Sequence, residues 1–296
     1  MHDAPVRTAT RLGLICDVHE HGSLDGDPVL LLHGFPQRGT SWDAVASRLA
    51  SRGLRTLAPD QRGYSPRARP VGRGAYTLTA LTADALAVVD ELVGPGERVH
   101  VVGHDWGASV AWRLAARHPD RVATLTAVSV PPAAAYARSL VTTRQAFVSW
   151  YVLAVQVPGL VERLLGARGR PFSPAFAGML RRTGQSRDAA ERDAAGLADP
   201  AALTAALTWY RALAVERSAA DPPVRVPTLF VWSDGDVAVT RQAAELTHHH
   251  VTGPFRYAEL RGVSHWIPDE APDDLAELIA DHVGAAAVRR LPGGGG

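Results

Sequence analysis

Residues 100–112, read His-Val-Val-Gly-His-Asp-Trp-Gly-Ala-Ser-Val-Ala-Trp, constrain the fold more tightly than any other stretch. A β-branched apolar run at 99–102 meets Gly103, and a helical pattern resumes from about Ser109. Between them stands Gly103-x-Asp105-x-Gly107. This is the strand, sharp turn and helix of a nucleophile elbow, with aspartate where the better-known version carries serine. The flanking glycines have a steric reason, because a tight turn has no room for a Cβ beside the raised central residue. The following helix directs free N–H groups toward negative charge at its start. A plain turn with a surface aspartate as N-cap has the same local pattern, so the decision rests on the rest of the chain.

The elements around it alternate. Residues 14–19 read as a strand paired with residues near Arg7, and 29–32 as a fully buried strand ending at His33-Gly34-Phe35-Pro36. Helical spacing over 42–52, a strand at 55–58, an amphipathic helix over 78–92 and the elbow follow. The elbow helix reaches about His118, and a buried strand spans 122–130. Such alternation is the mark of a parallel sheet. From Pro131-Pro132 to Asp221-Pro222-Pro223 only helical segments appear, at 139–157, 174–183, 188–197 and 201–215, the last capped by Asp199. This predicts an α/β core at 1–132 and 222–288 interrupted by a helical lid at 133–221. Strands return at 228–232 and 256–260, a helix at 272–283 closes the fold, and 289–296 reads as a flexible, glycine-rich tail.

Two further polar positions lie where strands of such a sheet end, in the chain order nucleophile, acid, histidine. Asp236 follows the strand at 228–232 after a turn at Gly235. His265 follows the next strand within Gly262-Val263-Ser264-His265-Trp266. Each alone would read as a solvated loop residue, but open α/β sheets gather their sites at the carboxyl ends of their strands.

Composition removes other classes. A net charge of +1, with arginines scattered along the chain, gives no reason to expect nucleic acid or an anionic membrane as partner. Cys16 is the single cysteine, so no intramolecular disulfide and no cysteine-based zinc site can form. There is no lysine and no asparagine, which excludes Schiff-base and Walker-lysine chemistry. His248-His249-His250 reads as a helix end whose side chains diverge, not as a metal site. The start of the chain has no secretory h-region, and the apolar stretch 147–165 is broken by Gln156, Pro158, Glu162 and Arg163, so a cytoplasmic protein is expected.

From about Leu12 to His282 the chain resembles an α/β-hydrolase of the epoxide hydrolase and haloalkane dehalogenase branch. The resemblance is carried by His33-Gly34-Phe35-Pro36, by Gly103-His104-Asp105-Trp106-Gly107-Ala108 and by Gly262-x-x-His265-Trp266. It implies Asp105 as nucleophile, His265 as base, Asp236 as its orienter, and the backbone N–H groups of Phe35 and Trp106 as oxyanion hole. It further implies a cis Phe35–Pro36 bond and two lid tyrosines, Tyr151 and Tyr210, that protonate an opened epoxide. Trp150, Trp209 and Trp266 are expected to line the pocket, and Asp60-Gln61-Arg62-Gly63-Tyr64, His33 and His104 to be structural. The activity implied is cofactor-independent, metal-free conversion of a hydrophobic epoxide and water to a vicinal diol, by a monomer or homodimer. A dehalogenase needs a second halide donor, for which Trp150 and Trp209 are the candidates. Defluorinating relatives place an arginine after the nucleophile, where this chain has Trp106. A biosynthetic enzyme using the same groups, and a ligand-binding protein on the same scaffold, stay open.

Overall fold

The computed structural model describes residues 6–165, 174–217 and 219–288. Eight strands make one sheet: β1 (Val6–Arg11), β2 (Leu14–His21), β3 (Asp27–Leu32), β4 (Leu54–Pro59), β5 (Val99–His104), β6 (Val122–Val128), β7 (Thr228–Gly235) and β8 (Phe255–Ser264). Their order across the sheet is β1-β2-β4-β3-β5-β6-β7-β8. β1 pairs antiparallel with β2, Arg7 opposite Val18, and β2 pairs antiparallel with β4. All later neighbours run parallel. β3, β5, β7 and β8 therefore end at the same edge, and each of their last loops carries one of the expected site residues.

The parallel strands are apolar on both sides because helices cover both. Leu30, Leu32, Val101 and Phe230 join the core beneath α2 (Leu78–Leu92) and α3 (Trp106–Arg117). Their alternates Leu31, Val102, Leu229 and Val231 pack with Val45 and Leu49 from one short helix and with Leu275 and Ile279 from a long one. Those helices are α1 (Asp43–Ala50), entered through a 3-10 turn at Gly39–Trp42, and the last helix of the chain.

Between β6 and β7 the described residues form only helices: α4 (Ala133–Thr142), α5 (Gln145–Val148), α6 (Trp150–Val155), α7 (Leu160–Leu165), α8 (Pro174–Arg182), α9 (Arg187–Gly196) and α10 (Pro200–Ala212). α11 (Arg241–Glu245), α12 (Ile267–Glu270) and α13 (Pro272–Val288) follow in the core. The continuous helix expected over 139–157 is instead three pieces. Thr143 turns extended and its hydroxyl accepts the Gln145 N–H, so local hydroxyl bonding displaces the helical ladder. The elbow helix begins at Trp106, not Ser109, and Asp105 itself is its N-cap. The cap at Asp199 is present, its side chain accepting the Ala201 N–H at 2.9 Å, although α10 stops three residues short of 215. His248–His250 close a 3-10 turn in which the rings of His248 and His249 lie 3.8 Å apart instead of diverging. The tail at 289–296 lies outside the described residues.

Backbone proximity fixes the elbow. A Cβ on Gly107 would be driven into the Leu32 carbonyl, and one on Gly103 into the Gly107 carbonyl. Gly107→Ala should therefore lower the unfolding free energy by about 2 kcal/mol or more in a urea melt, as overpacking does where the neighbour is backbone. A melt unchanged from the parent would mean the strand and helix are not held this close.

Candidate active site

Asp105 has φ 52° and ψ −120°, a strained conformation for a side-chain-bearing residue that sits on the raised turn between β5 and α3. One carboxylate oxygen, Oδ1, accepts the Phe35 N–H at 2.8 Å, and the backbone N–H of Trp106 also serves the carboxylate. Phe35–Pro36 is a cis bond. The loop bearing Phe35 is itself held from below. The Gln61 N–H donates to His33 Nε2 at 3.1 Å, and its side-chain amide donates to the His33 carbonyl at 2.6 Å. Burial, the largest influence, pushes the His33 pKa down to about 4, which keeps its Nε2 an acceptor. Asp60 accepts the Gly39 N–H at 2.8 Å, and Arg62 grips Asp84 through two bonds of 2.6 Å. The 60–64 loop is thus a structural brace, as its sequence suggested.

Oδ2, the other Asp105 oxygen, faces His265 Nε2 at 3.6 Å. The opposite ring nitrogen of His265 lies 2.8 Å from Asp236 Oδ2. Asp236 is fixed by the Ala238 and Val239 N–H groups, at 2.7 and 2.9 Å on its remaining oxygen. His104 does not face the site. It bridges the His265 carbonyl, at 2.9 Å, and Gln37 Oε1, also at 2.9 Å. Gln37 continues to Asp269, which the lid residue Arg192 holds from the other side.

Burial disfavours charge on His265, but the carboxylates of Asp236 and Asp105 outweigh it and push the imidazole pKa up to about 10. Burial likewise favours neutral Asp105. The proximity and charge of His265, with His104 and the Trp106 N–H, outweigh it and hold the carboxyl below its ordinary value. Both shifts favour a protonated His265 beside an ionised Asp105.

The lid supplies two phenols. The rings of Tyr151 and Tyr210 lie 6.1 Å apart, and Tyr210 stands edge-on to Trp106 at 4.9 Å and to Phe35 at 5.6 Å. Burial, followed by nearby charges including Asp105, pushes both phenols above their ordinary pKa, so both keep their protons. Their pairing is enforced by Arg211, whose guanidinium donates to Glu162 at 2.7 and 2.9 Å and to the Val155 carbonyl at 2.9 Å. Gln156 adds a bond to the Tyr210 carbonyl at 2.8 Å. α6, α7 and α10 are thereby tied together.

The three tryptophans divide. Trp266 packs edge-on to His265 at 5.3 Å, with its indole N–H on Thr183 Oγ1. Trp209 is 2% exposed, lies behind Trp106 at 5.9 Å and donates its N–H to the Arg62 carbonyl. Trp150 is 67% exposed on the outer side of the lid, so its expected place in the pocket is corrected. Its neighbour Tyr151 turns inward, and on a helix adjacent side chains point about 100° apart.

One cluster had no warning in the sequence. Tyr136 Oη meets Ser149 Oγ at 2.6 Å and feels the charges of Asp105 and Asp236. Gln145, buried, donates to Ser149 Oγ and to the Ala238 carbonyl and accepts the Thr240 N–H at 2.8 Å. The lid is thereby tied to the loop that holds Asp236. The only available sign was a polar residue on the buried side of an apolar segment.

His265 generates a testable pH dependence. Its folded-state pKa lies above its ordinary 6.5, so the stabilisation from its proton is complete below about pH 6.5 and is lost as pH rises toward 10. Unfolding free energy measured across that window should fall in the parent, and the fall should flatten in His265→Gln. Parallel slopes in both proteins would rule out the raised value.

The chain matches the family model described as alpha/beta hydrolase fold over residues 27–272. It is 31% identical to Epoxide hydrolase A of Mycobacterium tuberculosis (strain ATCC 25618 / H37Rv), covering 94% of this chain and 96% of that one. It is 30% identical to the AB hydrolase superfamily protein YfhM of Bacillus subtilis (strain 168), over 92% of this chain and 95% of that one. Among solved structures, epoxide hydrolase VrEH1 from Vigna radiata superposes with a TM-score of 0.81 at 28% identity, covering 96% of this chain and 99% of that one. This chain belongs to the α/β-hydrolase fold family, in its epoxide hydrolase branch.

Proposed function

We propose that the protein hydrolyses epoxides to vicinal diols through a covalent ester on Asp105. The observation that carries this reading is the pairing of a nucleophilic carboxylate with two protonated lid phenols, Tyr151 and Tyr210, near enough to feel its charge. The names of the relatives support the same substrate class.

In the first step Asp105 Oδ2 attacks a ring carbon. A carbon–oxygen bond to the enzyme forms as the ring carbon–oxygen bond breaks, and the departing oxygen takes a proton from a phenol, which is later reprotonated from solvent. Oδ1 stays with the Phe35 N–H throughout. Esterification removes the negative charge of Asp105, leaving Asp236 as the one carboxylate supporting the His265 imidazolium. Its pKa falls and it gives its proton to solvent, becoming a base only after the ester exists. Neutral His265 then takes a proton from water, and the hydroxide adds to the Asp105 carbonyl carbon. Oδ1 becomes the oxyanion, stabilised by the Phe35 N–H already bonded to it and by the neighbouring Trp106 N–H. Collapse expels the product alkoxide, which takes the proton from His265 and leaves Asp105 as the carboxylic acid; that acid then passes its proton to His265, which restores the Asp105 carboxylate and the imidazolium.

Halide displacement would use the same triad but would need N–H donors for the halide. Trp209 and Trp266 have their indole N–H groups on protein acceptors and Trp150 faces outward, which weighs against the dehalogenase reading. The intact catalytic set weighs against a binding protein.

Intact-mass analysis of His265→Gln exposed to mixed epoxides and haloalkanes tests the reading. The expected adduct has the full mass of the epoxide and maps to Asp105, because ester hydrolysis needs the base. An adduct lacking the elements of hydrogen halide would instead assign the dehalogenase. Tyr151→Phe and Tyr210→Phe together should lower epoxide turnover about 100-fold or more, while the Asp105→Ala protein stays folded and inactive.

A further inference from the structure

Among the described residues, the outer side of the lid is apolar and bare. Phe147 is 81% exposed, Leu153 74% and Leu164 72%, and with Trp150, Leu160 and, in the turn between α6 and α7, Val157 they make a run of exposed apolar side chains through α5, α6 and α7. The opposite side of the same segment is occupied: Gln145, Ser149 and Val155 are buried, and Tyr151 faces Tyr210. Monomeric proteins rarely expose so continuous an apolar run without a partner for it.

Charge identifies the partner. Residues 133–183 hold seven arginines against one acid, Glu162, although the whole chain is nearly neutral at +1. Glu162 is engaged by Arg211. Arg144 is exposed within three residues of Phe147, Arg163 is exposed next to Leu164, Arg138 is exposed on α4, and among the described residues no carboxylate pairs with any of them. A second copy docked through this side by a two-fold axis would bring like charges together. An anionic lipid surface accepts both features, apolar side chains entering the acyl boundary and arginines meeting headgroups. Trp150 suits that boundary, being an apolar ring with one polar N–H.

We infer that the outer side of the lid, built from Phe147, Trp150, Leu153 and Leu164 with Arg138, Arg144 and Arg163, docks the protein onto anionic phospholipid membranes. The near-neutral total charge, which argues against such a partner, hides this local concentration. Docking leaves the lid as a neighbour of the phase into which hydrophobic molecules partition. The inference rests on the surface alone and does not require the epoxide reading.

Flotation with phosphatidylcholine vesicles, with and without admixed phosphatidylglycerol, tests it on the full chain. The protein should float with the anionic vesicles and release as salt rises. Arg144→Gln and Arg163→Gln should each weaken binding roughly fivefold, from about 1 kcal/mol per arginine. Phe147→Ser with Leu153→Ser should weaken it by roughly tenfold or more, with thermal melts unchanged because both residues are exposed. Tryptophan emission should shift to the blue on binding, and less so in Trp150→Phe. Equal flotation with neutral vesicles, or binding indifferent to these substitutions, would overturn the inference. So would a concentration-dependent dimer, without vesicle binding, that Phe147→Ser disrupts, since it would give this side of the lid to a second copy. A protein that neither floats nor dimerises would leave the inference equally without support and overturn it.

Discussion

The site depends on one steric fact: the backbones of the β3 end, the β5 end and the start of α3 touch with no side chain between them. Gly107 lies against the Leu32 carbonyl, Gly103 against Gly107, and Gly34 against the Asp105 side chain. Only this closeness lets Asp105 sit at φ 52° and lets the Phe35 N–H reach its carboxylate. The strain of about 1–3 kcal/mol typical of such a conformation is offset by packing around both neighbours. A looser turn would separate the Asp105 carboxylate from the Phe35 N–H that it accepts.

Electrostatics then divides the labour between chemically similar groups. Asp105 and Asp236 are both aspartates near one imidazole, yet Asp236 is saturated by the Ala238 and Val239 N–H groups while Asp105 Oδ2 faces His265 across 3.6 Å. The first is held on both oxygens, and the second keeps the freer oxygen that the proposed nucleophilic role needs. Because two carboxylates hold the His265 proton, consuming one of them changes what the histidine can do. The order of the two proposed half-reactions follows from that loss of charge.

The lid is more than a cover. Arg211 and Gln156 lock the helices that carry Tyr151 and Tyr210, and Gln145 fastens the same segment to the Asp236 loop. Arg192 and Gln37 meet at Asp269 beside the His265 loop. Movement of the lid therefore bears on the acid and on the histidine as well as on the phenols. Its two sides have opposite tasks, with Tyr151 turned inward and Trp150 outward one residue away.

The parallel sheet, the elbow and the triad were legible in the chain because each is written locally: β-branched runs for buried strands, glycines where a Cβ cannot fit, polar residues just past strand ends. The interruption of the 139–157 helix was not, since apolar spacing continues through it and hydroxyl bonding at Thr143 breaks it. Nor was the direction of Trp150, because an apolar residue on a short helix reads the same whether it faces a cavity or solvent. The roles of Tyr136, Gln145 and Ser149 arise from contacts between segments up to about a hundred residues apart, with no local pattern to announce them. The sequence by itself determined the order of elements and the chemical groups brought to one sheet edge, since backbone sterics and hydrophobic period act over a few residues. Only the tertiary structure decided which carboxylate is fixed, which tryptophans have free N–H groups and which side of the lid stays bare, because those depend on what the remainder of the chain packs against.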